Sequence, residues 1–246
     1  MTDFSKVLIR ASAMGLIMTE PKSKADKEAG NLGQTAKSYL KKVYNEYRWG
    51  RTSDIRNKYT SKGLMVEPES ITLVSRLDKK FYIKNEENLR NDYFSGTPDI
   101  FSGISIREAE VLRDIKSSWD SDTFLSNVGE ALEPIYWWQG QIYMDLANCS
   151  EYAVDYCLVD TPFEIIESEK KKLWHQMNCV TEESPEYLAA CAELESNMIF
   201  TDIPIEERRW TIAFNKDKEA IERAKEKVIK SREWLVVFEE MHLKGK

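Results

Sequence analysis

The apolar run Ala109-Glu110-Val111-Leu112-Arg113 ends in Asp114-Ile115-Lys116, fifteen residues after Pro98-Asp99. A run of this kind, closed by charge, reads as a strand that carries ionisable groups at its end. With Asp99 near the start of one strand and Asp114 at the end of the next, the spacing predicts a compact hairpin. Asp114 and Lys116 stand two apart on an extended chain, so both face the same way. Burying two carboxylates and an ammonium together is costly unless a cation shares them. Oxygen donors of this type suit Mg2+ or Mn2+, and Mg2+ keeps waters that can attack a phosphodiester.

A chain of 246 residues is long enough for one sizeable α/β domain. Its apolar stretches are too short to span a bilayer, and residues 1–18 are interrupted by Arg10 with no secretory pattern after them. The expected setting is therefore the reducing cytoplasm. Cys149, Cys157, Cys179 and Cys191 form no C-x-x-C pair and have no paired His nearby, so neither a zinc site nor an iron–sulfur cluster is expected. The net charge of −7 is unevenly spread. Between Lys37 and Lys62, eight basic residues face two acidic ones, a local +6 that leaves −13 elsewhere. Tyr39, Tyr44, Tyr47, Trp49 and Tyr59 are interleaved there. Basic residues mixed with aromatics suit a surface that grips a nucleic-acid backbone, and a solvated helix face over core aromatics reads equally well.

The pattern along the chain alternates helical and β-prone segments. Residues 5–18 read as a short helix or extended segment, and 19–33 as a polar loop. A helix capped by Thr35 runs to about Tyr47, its stripe made by Ala36, Leu40, Val43, Tyr44 and Tyr47. A helical region follows over about 54–76, with a break or restart at Pro68. Short strands are expected at 80–84, 92–95, 98–101 and 109–116. Pro134 opens a helix to about Ala147, and 151–160 alternates as a strand. Helices at about 163–178 and 184–199, a strand at 208–214 and a charged helix from Lys216 to Met241 complete the chain. This order predicts an α/β fold in which a central mixed β-sheet is flanked by helices.

Four motifs stand in order: Gly63-Leu64-Met65-Val66-Glu67, Pro98-Asp99, Asp114-Ile115-Lys116 and Gln139-Gly140-Gln141-Ile142-Tyr143. Together they resemble the G-x-x-x-E, PD, (D/E)-x-K and Q-x-x-x-Y signatures of the PD-(D/E)XK nuclease superfamily. The closest likeness is to its phage-type branch of YqaJ and lambda-exonuclease relatives, with RecB-like nucleases as cousins. Ile9-Arg10-Ala11-Ser12 is similar to the segment that contacts a terminal phosphate in such exonucleases. The likeness covers about residues 5–160 and, more loosely, the last strand and helix. Two departures are visible: the second acid is Asp114 where Glu is commoner, and Pro68 directly follows Glu67.

The resemblance implies a restriction-endonuclease-like core over about 54–160 and 208–241 in one nuclease domain. About 5–50 would be a helical DNA-contact region, and about 163–199 a helical insertion. It implies metal ligation by Asp99, Asp114, the backbone carbonyl of Ile115 and Glu67. Lys116 would orient the attacking water, and Gln139 and Tyr143, four apart on one helix face, would contact the site. Arg10, Ser12, Lys62 and Ser117 would contact DNA phosphates. The implied cofactor is Mg2+, replaceable by Mn2+. The implied substrate is the end of linear double-stranded DNA, with a single-strand annealing recombinase as partner and a ring of three subunits as assembly. The competing readings are a structure-specific or end-processing endonuclease, a non-catalytic DNA-end-binding protein, and an enzyme acting on small phosphate esters. Each predicts a different response to closed circular DNA, to chelation and to substrate size.

Overall fold

A computed structural model of the chain describes residues 2–52, 57–179 and 181–244. The N-terminal segment forms β1 (Ile9–Arg10), a 3₁₀ turn over Ala11–Ala13 and α1 (Met14–Ile17). The stretch expected as a plain loop contains α2 (Lys24–Glu28), whose Ser23 side chain accepts from the Asp26 amide. Four charged residues and one alanine carry no apolar stripe, which is why periodicity misses this helix. Next comes α3 (Gln34–Trp49), and its N-cap is Gly33 rather than Thr35, with Gly50 in the left-handed conformation closing the C-terminus. Ala36, Leu40, Val43 and Tyr44 form its buried face, as the stripe predicts, whereas Tyr47, expected on the same stripe, is exposed near the helix end.

The expected helix at 54–76 is two helices, α4 (Lys58–Met65) and α5 (Glu67–Asp78). The part of that expectation before Asn57 lies outside the described residues. Asn57 caps α4 through the Tyr59 and Thr60 amides. The break falls at Val66, one residue before Glu67, so the acid sits in the first turn of α5 beside Pro68. Five further strands follow: β2 (Ile83–Lys84), β3 (Leu89–Arg90), β4 (Phe94–Gly96), β5 (Ile100–Ser102) and β6 (Val111–Ser117). The remainder is α6 (Ser121–Leu125), α7 (Pro134–Ala147), β7 (Glu151–Cys157), α8 (Phe163–Gln176), α9 (Pro185–Ser196), β8 (Arg209–Asn215) and α10 (Lys218–Lys244).

The central mixed sheet has the order β2-β5-β6-β7-β8, in which only β6 and β7 are parallel. Joining two parallel neighbours requires a crossover, and α6 with α7 supplies it. A second sheet, β1-β4-β3, was not expected, because its two- and three-residue strands are too short to show a period. Alternation along the central strands divides the apolar side chains between two cores. Phe101, Leu112, Tyr152 and Val154 face α7 and the helices behind it, in one cluster with Ile142, Tyr143 and Met144. Ile100, Ile115 and Cys157 face the other way, onto Val66, Leu73 and Val74 at α5. The charged end of β6 is thereby held between two packed layers. No described helix is long and apolar enough to cross a membrane.

Candidate active site

Asp99 lies one residue before β5, whose register pairs Ile100 with Arg113 across the antiparallel hairpin. One further step sets Asp99 opposite Asp114, as the hairpin expectation requires, with both side chains on one face. The β5 ladder has ended there, so the edge of β6 beyond Arg113 is free of it. Asp99 takes that place: its Oδ2 accepts the Ile115 amide at 2.8 Å. Within a strand the N–H and C=O of one residue point to the same side, so the Ile115 carbonyl is directed to the Asp99 side too.

Asp114 is 1% exposed. Its Oδ1 accepts from Gln139 Nε2 at 3.3 Å, and the same amide nitrogen donates to the Tyr143 hydroxyl at 3.3 Å. Its Oδ2 has no hydrogen-bond partner and meets the Lys116 ammonium in an ion pair. Lys116 also lies over the Tyr136 ring, 4.8 Å from its centroid. Burial, and then the Asp114 charge, hold the Asp99 carboxyl well above the ordinary carboxylate range. Burial alone would lower Lys116, but Asp114 and Asp99 outweigh it and keep the ammonium above its usual value. Burial, with the Asp114 charge behind it, also raises the Tyr143 phenol.

Asp99, Ile115 and Lys116 line a cleft of about 790 Å³, with Asp114 and Gln139 buried behind them. Its walls include Lys62, Glu67, Ser117, Trp119, Glu133 and Tyr136. Glu67 is on the cleft as expected, but its carboxylate pairs with Lys84 at 2.8 Å. Among the described residues, no three His, Cys, Asp or Glu side chains converge on one point. Ser117 Oγ shares a hydrogen bond with Ser70 at 2.9 Å. Lys62, expected to contact DNA phosphate, is buried instead, 1% exposed, and donates to the Trp119 carbonyl at 2.8 Å. The Trp119 and Phe200 rings flank its ammonium, and burial pushes its pKa down to about 8.

A second pocket of about 450 Å³ holds Arg10, Ser12, Glu46, Arg90, Thr97 and Tyr143. Tyr143, on the wall of this pocket, also accepts from Gln139, which holds Asp114, so side-chain contacts link the pocket to the carboxylate pair. Gly96 permits that wall to close up, because a Cβ there would lie 2.4 Å from a Tyr143 ring carbon. The structure therefore brings together Asp99, Asp114, Ile115, Lys116, Gln139 and Tyr143, with Glu67 and Ser117 on the rim. Arg10 and Ser12 stand in the adjoining pocket. Tyr136, Glu46 and Arg90 were not singled out from sequence. Tyr136 had a usable signal, since 136, 139 and 143 share a helix face. Glu46 and Arg90 had none.

Fold and site resemble those of PD-(D/E)XK nucleases, and the structural neighbours of the chain are a phage-related and an alkaline exonuclease. A phage-related exonuclease from Haemophilus somnus 129PT superposes with a TM-score of 0.71 at 28% identity, over 96% of this chain and 97% of that one. The alkaline exonuclease LHK-Exo from Laribacter hongkongensis superposes with a TM-score of 0.62 at 13% identity, covering 98% and 94%. The same exonuclease in complex with dAMP gives 0.59 at 14% identity, covering 97% and 95%. No protein-family model and no curated protein sequence matches the chain.

Proposed function

We propose that the protein is a Mg2+-dependent exodeoxyribonuclease acting on the ends of linear double-stranded DNA. One observation carries the reading: Asp99 and Asp114 oppose each other across neighbouring strands with Lys116 on the same face, and Asp99 and Lys116 line an open cleft with Asp114 buried just behind them. Two adjacent carboxylates, Asp114 buried and Asp99 half-buried, share the single charge of Lys116 among the described residues. That donor set, with the Ile115 carbonyl turned to the same side, fits a hard dication. Asp99, Asp114 and the Ile115 carbonyl would hold it, with Glu67 on the rim as a further oxygen donor. Mn2+ satisfies the same ligands.

When bound, Mg2+ supplies an acidified water as nucleophile and neutralises charge on the scissile phosphate. The chain's own groups do the remaining work. Lys116 donates to the attacking water and offsets charge growing on the phosphoryl oxygens. Gln139 fixes Asp114 and links it to Tyr143. Ser117 offers a hydroxyl along the cleft, and Trp119 with Tyr59 offers aromatic faces for bases. Arg10 and Ser12 bind a terminal phosphate in the adjoining pocket, which favours ends over internal positions. The resemblance extends the proposal to a ring of three subunits and an annealing recombinase as partner.

The test combines end-labelled linear duplex with supercoiled plasmid, in Mg2+ and in a chelator. Label release from the linear duplex in Mg2+ alone, with intact plasmid, is expected. Asp114→Asn should abolish release while the circular-dichroism spectrum and DNA binding persist. Plasmid nicking would instead identify an endonuclease. Binding without cleavage in Mg2+ or Mn2+ would identify an end-binding protein.

A further inference from the structure

Arg10 is not free in its pocket. Its Nη2 contacts Glu46 Oε1 at 2.7 Å and Oε2 at 2.9 Å. A guanidinium can grip a phosphate end-on or side-on, and Nη2 belongs to both grips. The Glu46 carboxylate, planar and anionic, thus occupies the nitrogen that a terminal phosphate needs. Both side chains remain open to solvent, 56% for Arg10 and 39% for Glu46, so the pair is weak and exchangeable. Arg90 in the same pocket is held differently. Its Nε donates to Asn88 Oδ1 at 2.7 Å, and Asn88 Nδ2 donates to Thr97 Oγ1 at 3.1 Å. These partners are neutral, so the Arg90 charge is not cancelled by them and attracts anions whatever Glu46 does.

We propose that Glu46 is a gate on the phosphate pocket, a carboxylate that competes with the DNA terminus for Arg10 and displaces it after each cleavage. This deepens the exonuclease reading and rests on it. A terminus that bound Arg10 without competition would be slow to leave, yet an enzyme that shortens DNA stepwise must release each terminus before gripping the next. A phosphate carries more charge than a carboxylate and wins Arg10 when it arrives. A hydroxyl terminus carries none and leaves the pair closed. Glu46 therefore sets both the preference for phosphorylated ends and the ease of release, as a positioning residue that touches Arg10.

The experiment compares wild type, Glu46→Gln, Glu46→Asp and Arg10→Gln on linear duplexes with phosphate or hydroxyl termini, with inorganic phosphate as competing ligand. Gln keeps the size of Glu46 without its charge, and Asp keeps the charge without its reach. In both Glu46 variants, inhibition by inorganic phosphate should strengthen and the KM for phosphorylated ends should fall, each about two- to fivefold, as expected for freeing one exposed ion pair. Turnover on hydroxyl ends should match wild type. Arg10→Gln should lose phosphate inhibition and the preference for phosphorylated ends together. Unchanged phosphate inhibition in the Glu46 variants overturns the gate. If Arg10→Gln still loses its end preference, the phosphate pocket stands without a gate; if it too is unchanged, the pocket reading fails as well.

Discussion

Asp99→Asn should stabilise the metal-free protein while abolishing cleavage. Extending the hairpin register sets Asp99 opposite Asp114, where Cβ atoms of facing residues lie about 5 Å apart. Two like unit charges at about 5 Å repel by about 3 kcal/mol at an effective dielectric of about 20. Lys116 attracts both carboxylates and recovers part of that, leaving about 1–2 kcal/mol of net strain. Asparagine removes one charge, keeps an oxygen for the Ile115 amide, and turns an N–H donor toward Asp114. The sign with pH follows from the raised Asp99 carboxyl. The folded chain holds that proton more tightly than the unfolded chain, so metal-free stability falls as pH rises from the ordinary Asp value of 3.8 through the raised one. Urea unfolding in a chelator at pH 8 should give the variant an advantage of about 1–2 kcal/mol that shrinks toward pH 4. Added Mg2+ should raise the wild-type midpoint and leave the variant's nearly unmoved. A variant less stable than wild type at pH 8, or one that Mg2+ still stabilises fully, would refute the like-charge argument.

Two further outcomes follow from charged groups that take no part in the proposed chemistry. Asp155 is wholly buried on β7, where it binds Arg113 at 2.7 Å and Thr211 at 2.6 Å. Asp155→Ala leaves Arg113 and Arg209 to share Asp78 alone, which should cost about 3–5 kcal/mol in urea unfolding; a loss under about 1 kcal/mol would mean that water replaces the carboxylate. Lys62 has a pKa of about 8 in the folded chain against 10.5 ordinarily. Between those values the unfolded chain binds a proton that the folded chain does not, so stability rises with pH across that window. Wild type should therefore gain of order 1–3 kcal/mol over Lys62→Met between pH 7.5 and 10, and parallel pH profiles would contradict the burial argument.

What the sequence made legible was local. The bounds of α7 could be read at both ends because Pro134 fits only a first turn and the mainly apolar stretch after it stops at Asn148. The D-x-K tripeptide could be placed on a strand, and its facing inferred, because alternation alone decides which side chains share a face. The parts that were not legible depend on contacts between distant segments. Lys62 reads as one more cation in a basic stretch, and only the rings of Trp119 and Phe200, brought in from elsewhere, make it an interior group. Glu67 reads as a metal ligand from its motif, whereas its pairing with Lys84 depends on where β2 ends. The pocket around Arg10, the proposed phosphate site, is the extreme case. It is assembled from β1, α3, the β3–β4 hairpin and α7, and Glu46 enters it from a helix that sequence describes only as amphipathic.

The same division explains how one scaffold combines a fixed centre with an adjustable one. Asp114 and Lys116 sit on a central strand packed on both faces, and Gln139 comes from a helix buried over most of its length. Moving either would disturb two cores, so the geometry of the proposed catalytic centre is held by the same burial that stabilises the fold. Arg10 and Glu46 lie at the surface, in an ion pair worth about 0–1 kcal/mol, and can exchange partners without repacking anything. An exonuclease needs both properties, a rigid centre for the bond it breaks and a loose hold on the end it must repeatedly let go. If that division holds, substitutions in the buried set should alter folding and turnover together. Substitutions at Arg10 and Glu46 should alter end preference and phosphate inhibition while the unfolding midpoint stays where it was.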